Sequence, residues 1–319
     1  MTYHYNNVYI KDKYSLLAST KYNPIVKNNV NEVVDDYYMG QKTIEQAEIK
    51  YQELTINKLL KKYSDVNLLI SGDLQSQNIC STFASSSTNI PYLGIYSACS
   101  TFTQGLIIAS TFCELYANKV IVSTSSHNLV SEKQFRFPVE YGAIRKRVNT
   151  CTASASISAL ITKEKSNIKI ESATIGSVSK TNHKDANDMG LAMAPACATT
   201  IYNHLKDTKR KPEYYDLILT GDLGIYGTKI MKEYFKKISN MELKNVIDSG
   251  SIFYKDENVY AGASGPCCIP LVLFDYIIPQ KKYKKILMVA TGSLHSVTST
   301  NQKLVIPSIS HAVSLEVNL

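Results

Sequence analysis

The sequence has no apolar run long enough to cross a bilayer. The stretches Leu106–Cys113 and Cys267–Ile278 are the longest, Asp275 interrupts the second, and a span needs roughly 18 uncharged residues. Met1, Thr2, Tyr3 and His4 do not form the basic start and apolar block of a secretory signal. No CxxC pair occurs among the seven cysteines, and their odd count with a vicinal Cys267–Cys268 argues against a disulfide framework. No two histidines stand at ligand spacing, so no structural metal and no cofactor is expected. The basic runs come without interleaved aromatics or a recognition helix, which sets nucleic acid aside as a partner. These absences lead us to expect a soluble protein kept in a reducing, intracellular compartment.

Apolar residues, in contrast, are plentiful. They make up 44% of 319 residues, enough for the core of one large domain or two modest ones. Lys and Arg number 35 against 27 Asp and Glu, a net charge of +8. The excess concentrates in Lys206–Lys211 and Lys281–Lys285, with shorter runs at Lys61–Lys62 and Lys236–Lys237. Such runs read as solvated faces or as attraction to something anionic, a lipid headgroup or an acidic ligand.

The chain repeats itself. Asn67–Leu74 (NLLISGDL) returns as Asp216–Leu223 (DLILTGDL), an offset of 149. Gly94–Ser100 (GIYSACS) echoes in Gly262–Cys268 (GASGPCC) at 168, and Val120–Ser126 (VIVSTSS) in Leu287–Ser293 (LMVATGS) at 167. Three ordered matches imply two halves, 1–165 and 166–319, with about 19 extra residues placed in the second half around Met241–Gly250. Each half reads as alternating helices and short buried strands. Helices are expected over Thr43–Lys62 and Ser100–Ala117, and strands over Val66–Ser71, Tyr92–Tyr96, Lys119–Thr124, Ala155–Thr162, Lys285–Thr291 and Ala312–Val317. That alternation predicts an α/β protein of layered αβαβα form.

Cys99 stands between a buried strand and the first turn of a helix. A helix start favours a thiolate and can bind a carboxylate, so the position suits a nucleophile or an anion site. A small buried thiol filling a tight junction is the plainer alternative. Ser126, His127 and Asn128 end a strand in the same half and are expected to open onto the same cavity. Lys133 and Arg136 supply cations, with Phe135 and Phe137 flanking the arginine. The guanidinium fork makes Arg136 the better carboxylate partner. Ion pairing of Arg136 with Glu132 or Glu140, and strand capping by Ser126 and Asn128, are the structural alternatives. Met189, Met193 and Pro195 read as an apolar loop packed between the halves.

GIYSACST followed by STSSHN resembles the nucleophile-bearing half of thiolase-like condensing enzymes. More narrowly, Ser125–Asn128, Glu132–Gly142 (EKQFRFPVEYG), Asn187–Ala196 (NDMGLAMAPA), Thr220–Gly224 (TGDLG), Gly262–Cys267 (GASGPC) and Ala290–Leu294 (ATGSL) are similar to the stage V sporulation protein AD family. The match runs in order from about Ile44 onward, leaving the first forty residues poorly matched. The resemblance implies a thiolase-like fold used to bind dipicolinic acid, pyridine-2,6-dicarboxylate, with or without calcium, during its uptake into the developing spore. It further implies partnership with membrane components of the stage V A sporulation complex, a peripheral place at the spore inner membrane, and a homodimer. Where condensing enzymes carry a histidine after the first strand of the second half, this chain has Asp222, and the expected asparagine loop falls on Tyr260–Ser264. A carboxylate opposes thiolate formation, so a non-catalytic homologue is the expectation. The alternative is a working acyltransferase using Cys99, with His127 or His295 as base. Asp222 is also a candidate ligand-binding residue, orienting a pocket donor.

Overall fold

The computed structural model describes residues 1–18, 22–135 and 146–319. The first half runs through β1 (Thr2–His4), β2 (Tyr9–Ala18), β3 (Glu32–Val34), α1 (Ile44–Leu60), β4 (Leu68–Gly72), α2 (Ile79–Ser86), β5 (Tyr92–Gly94), α3 (Thr101–Leu115), β6 (Lys119–Ser126), α4 (Asn128–Phe135), β7 (Cys151–Thr152) and β8 (Ala155–Thr162). The second runs through β9 (Ile168–Ile175), β10 (Ser179–Lys180), α5 (Met189–Thr208), β11 (Leu217–Gly221), α6 (Gly224–Ser239), β12 (Val246–Asp248), α7 (Ser249–Phe253), β13 (Ala263–Ser264), α8 (Cys268–Val272), β14 (Lys285–Ser293), α9 (Val297–Asn301) and β15 (Pro307–Val317).

Local chemistry accounts for the helix that opens the first half. The Thr43 hydroxyl caps α1 by accepting from the Gln46 amide at 3.2 Å. Ala47, Tyr51, Ile56 and Leu59 are buried along it. Met189, Met193 and Pro195, expected in a loop, instead lie within the twenty-residue α5. Asp188 caps that helix by accepting from the Leu191 amide, and alternating small residues carry it past the proline.

The main sheet runs β12-β11-β14-β15-β9-β2-β8-β6-β4-β5. Outward from the β9/β2 seam, each side has the same sequence of strands, and the parallel pairs β4·β6 and β11·β14 occupy equivalent places. The first residues of β4 and β11, β5 and β12, and β6 and β14 are offset by 149, 154 and 166. Most of the additional chain therefore follows β12, in α7 and β13, rather than clustering around Met241.

Strand alternation sorts side chains into layers. Val120, Val122, Ile286 and Met288 face a central layer made by α3 and α8, where Phe102, Leu106, Ile269 and Leu271 are fully buried. Ile121 faces the opposite way, onto Ile56 and Leu59 of α1. Leu287 and Val289 face α5 and α6. The result is the αβαβα stack, with α3 and α8 at its centre.

The parallel strands end near Cys99, and the approach is close. A Cβ on Gly292, near the end of β14, would stand 2.2 Å from the Ser97 carbonyl oxygen. We predict that Gly292→Ala lowers stability by about 1–3 kcal/mol, read from urea midpoints, because the turn carrying Cys99 must move. An unchanged midpoint would show that this approach is not a constraint.

Candidate functional site

Between β5 and α3 the chain makes one 3-10 turn, Ala98–Ser100, with Ala98 at φ +49°. A left-handed alanine costs roughly 1 kcal/mol or more, and hydroxyls hold it. The Ser97 amide donates to Thr101 Oγ1 at 3.0 Å, and that hydroxyl donates to the Ala98 carbonyl at 2.7 Å. Ser100 Oγ donates to the Ser97 carbonyl at 2.8 Å. This turn sets Cys99, 7% exposed, at the head of α3.

The helix start favours a thiolate, yet other forces win. Burial pushes the Cys99 thiol well above the ordinary range, and the Asp222 carboxyl pushes it further, against a smaller opposing effect of the Gly265 amide. Asp222 follows β11 and is itself buried. Burial, then the charge of Asp248, raise it well above the usual carboxylate range, while the Cys268 and Cys99 thiols and the Gly265 amide partly offset this. Its amide donates to Thr291 Oγ1 at 3.1 Å. Asp248 accepts from Thr220 Oγ1 at 2.9 Å and from the amides of Leu223, Gly224 and Ser251 at 2.9–3.1 Å. Burial still raises it to about 6.

Ser126 belongs to the wall of this cluster. Gly265, at φ +106°, passes so close that a Cβ there would stand 3.1 Å from Ser126 Oγ. The Ser126 hydroxyl donates to the Ala153 carbonyl at 2.8 Å. Alternation sends His127 to the other side of the strand, onto α1. Its ring lies 4.2 Å from that of Tyr37 and 5.7 Å from that of Tyr51, with Nε2 3.2 Å from the Tyr37 carbonyl oxygen. Burial pushes this imidazole down to about 4. Asn128 anchors β7, its amide donating to Ser154 Oγ at 2.9 Å and its Nδ2 to the Thr152 carbonyl at 3.3 Å. Lys133 pairs with Glu45 at 2.8 Å near the surface. Arg136 and Phe137 lie outside the described residues. The structure thus brings together Cys99, Asp222 and Ser126, and it sets His127, Asn128 and Lys133 on other contacts.

A cavity of about 270 Å³ opens at the same ends of the strands, lined in part by Gln75, Tyr96, Gln134, Phe135 and His295. Tyr96, an exposed side chain three residues before Cys99 in the chain, lines it. His295 follows β14, with Nδ1 2.9 Å from Ser293 Oγ and its ring 5.1 Å from that of Phe135. Gln134 ties α4 to the opposite wall, donating to the Leu74 carbonyl at 2.6 Å and accepting from the Ser76 amide at 3.0 Å.

Beneath Gln75 lies a buried acid pair absent from the sequence-based candidates. Gln75 Nε2 donates to Glu48 Oε2 at 3.0 Å, and the Gln75 amide donates to Asp73 Oδ1 at 2.8 Å. Burial and then Asp73 raise Glu48 to about 8. The repeat itself carried a signal for Asp73, which matches Asp222 in the paired GDL segments. Among the described residues no group of three or more His, Cys, Asp or Glu is placed to hold a metal.

Two predictions follow from these carboxyls. At pH 7.5, Cys99 should be alkylated by iodoacetamide at least tenfold more slowly than a free cysteine, and Asp222→Asn should speed it, as read by peptide mass mapping. Alkylation at the free-cysteine rate would overturn the placement of Asp222 against the thiol. Glu48 releases its proton near 8 when folded and near 4.5 when unfolded. The folded state therefore holds the extra proton between those values, and stability falls as pH rises through that window. Glu48→Gln should flatten the decline in urea midpoints, whereas an unaltered slope would exclude Glu48 as a source.

Comparison with known proteins matches residues 2–316 to the family model described as stage V sporulation protein AD. The stage V sporulation protein AD of Bacillus subtilis (strain 168) is 38% identical over 295 residues, which cover 90% of this chain and 87% of that protein. Among solved structures, 3-oxoacyl-[acyl-carrier-protein] synthase III from Aquifex aeolicus superposes with a TM-score of 0.57 at 14% identity, covering 97% of this chain and 99% of that one. Cerulenin-bound OleA of Xanthomonas campestris gives 0.60 at 12% identity, covering 98% and 97%. At such identities the structural matches establish the fold alone, the thiolase-like layered fold of two duplicated halves.

Proposed function

Since the chain belongs to the stage V sporulation protein AD family, we propose that it binds dipicolinic acid for uptake into the developing spore and performs no condensation. One observation carries the non-catalytic part. A buried carboxyl, Asp222, stands against Cys99 where a condensing enzyme needs a proton-accepting imidazole, and it disfavours the thiolate. The ligand would enter the cavity beside Tyr96 and His295, whose aromatic walls suit a flat ring. Arg136 is assigned to a ligand carboxylate on its chemistry. We assign residues 1–165 and 166–319 to the two halves. The proposed setting is a peripheral one at the spore inner membrane, with membrane components of the stage V A complex, a second copy of the chain, and calcium accompanying the ligand as the partners to be sought.

A second reading makes Cys99 an acyl carrier. It is favoured by His295, which lines the same cavity as Tyr96, three residues before Cys99 in the chain.

Dipicolinate should raise the melting temperature at millimolar concentration, while pyridine and benzoate should not, because binding to the folded state alone stabilises it. No shift would remove the ligand assignment. Arg136→Ala should weaken binding by about 1–3 kcal/mol, measured by calorimetry, and unchanged affinity would place the carboxylate partner elsewhere. Incubation with acyl-coenzyme A should leave the intact mass unaltered. An adduct that Cys99→Ala abolishes would establish the second reading instead.

A further inference from the structure

A larger cavity, of about 520 Å³, lies at the opposite pole of the molecule. Strand β14 runs from Lys285 near this pole to Ser293 at the Cys99 end, and eight steps of about 3.3 Å put the two ends about 26 Å apart. Its floor is apolar, made by Ile10, Ile168, Phe274 and Ile278, and its rim carries Lys11, Lys165 and Lys281. The cavity straddles the seam between the halves, where Ile10 pairs with Ile168.

The charges around it do not cancel. Lys13, in the wall, is spent on the buried Asp275 carboxylate, Ser15 Oγ at 2.9 Å and Asn31 Oδ1 at 2.8 Å. Asp12 is taken by Lys62 at 3.0 Å and by the Tyr63 hydroxyl at 3.1 Å. Lys11 lies 3.4 Å from Glu164 in an exposed pair. Lys165 and Lys281 are exposed and form no ion pair among the described residues. Beyond the terminal residues Val317–Leu319 a second hollow continues the surface, but there Lys284 and Lys285 stand with Asp216 and Glu316, and Lys285 is paired with Glu171 and Glu316. A run of lysines kept only for solubility would project into water. Here two exposed ammonium groups, without an ion pair among the described residues, also border a concave apolar floor.

We propose that this cavity binds an amphiphilic organophosphate, with the phosphate between Lys165 and Lys281 and the apolar body on Phe274 and Ile278. Lysine meets phosphate as a point charge, whereas a lone carboxylate is better held by the guanidinium fork, which is absent from the lining among the described residues. The floor supplies the preference for an apolar body, since each buried methylene adds about fourfold in affinity. The site is separate from the one assigned to dipicolinate and does not depend on that assignment.

The test uses octyl phosphate below its micelle concentration, with inorganic phosphate and octyl glucoside alongside, measured by calorimetry on the full chain. Octyl phosphate should bind at least tenfold more tightly than either. Lys165→Glu/Lys281→Glu should lose at least tenfold of that affinity, Lys165→Gln/Lys281→Gln should lose less, and Lys236→Glu/Lys237→Glu should match the parent. Equal binding of octyl and inorganic phosphate, or full binding by the first pair of substitutions, would overturn the proposal. Vesicles of phosphatidylglycerol and phosphatidylcholine then identify the source. Sedimentation with them that the Lys165/Lys281 changes abolish makes the ligand a lipid headgroup. Octyl phosphate binding without sedimentation makes it a free amphiphile.

Discussion

The site is governed by a buried carboxyl, Asp222, placed beside the buried thiol of Cys99. Burial, and next the charge of Asp248, raise Asp222 well above the usual carboxylate range. The same surroundings hold the proton on Cys99. Each of these two groups resists becoming charged in the layer they share. A helix start, worth a fraction of a unit charge, does not outweigh this.

The repeat shows how that carboxyl came to be available. In the first half, Asp73 uses both oxygens on backbone amides, accepting from Gln75 at 2.8 Å and Ser81 at 2.7 Å as α2 begins. In the second half the comparable amides, of Leu223 and Gly224 at the start of α6, are taken by Asp248 instead. Asp248 introduces the additional α7–β13 segment, which also brings Gly265 against Ser126. Asp248, the last residue of β12, thus serves as the cap in the second half, while Asp222 faces the thiol. Equivalent aspartates in one duplicated motif therefore have different work.

Much of the layered fold could be read from the residues, because buried parallel strands appear as short apolar runs and repeat in order. Ala155–Thr162 matches its predicted bounds, and β4, β5, β6, β14 and β15 differ from theirs only at their ends, whereas β2 and β9 were not expected. The misplacement of Met189–Pro195 has a local cause. A proline argues against a helix interior, but alanines at 192, 194, 196 and 198 favoured α5 and its packing decided the matter. Cys99 and Asp222 were legible as a pair only because the repeat and the family pattern pointed to both turns. The orientation of His127 was within reach, since neighbours along a strand face opposite sides and Ser126 already claimed the central one. Glu48 was not legible. Its partners come from β6 and from the turn after β4, and only the tertiary structure brings these to one place.

The seam between the halves is thin. β9 pairs with β2 at Tyr9 and Ile10 and with β1 over Thr2–His4, and β13 meets β7 over two residues. Side-chain packing around α3 and α8 joins the halves as well, and such packing yields to small sliding more readily than a long ladder of backbone bonds. Tyr96 belongs to one half and His295 to the other, yet both border the same cavity. Shear along the seam would alter the width of that cavity directly, so a rigid planar guest gripping both walls would act as a wedge that locks the halves in a single register.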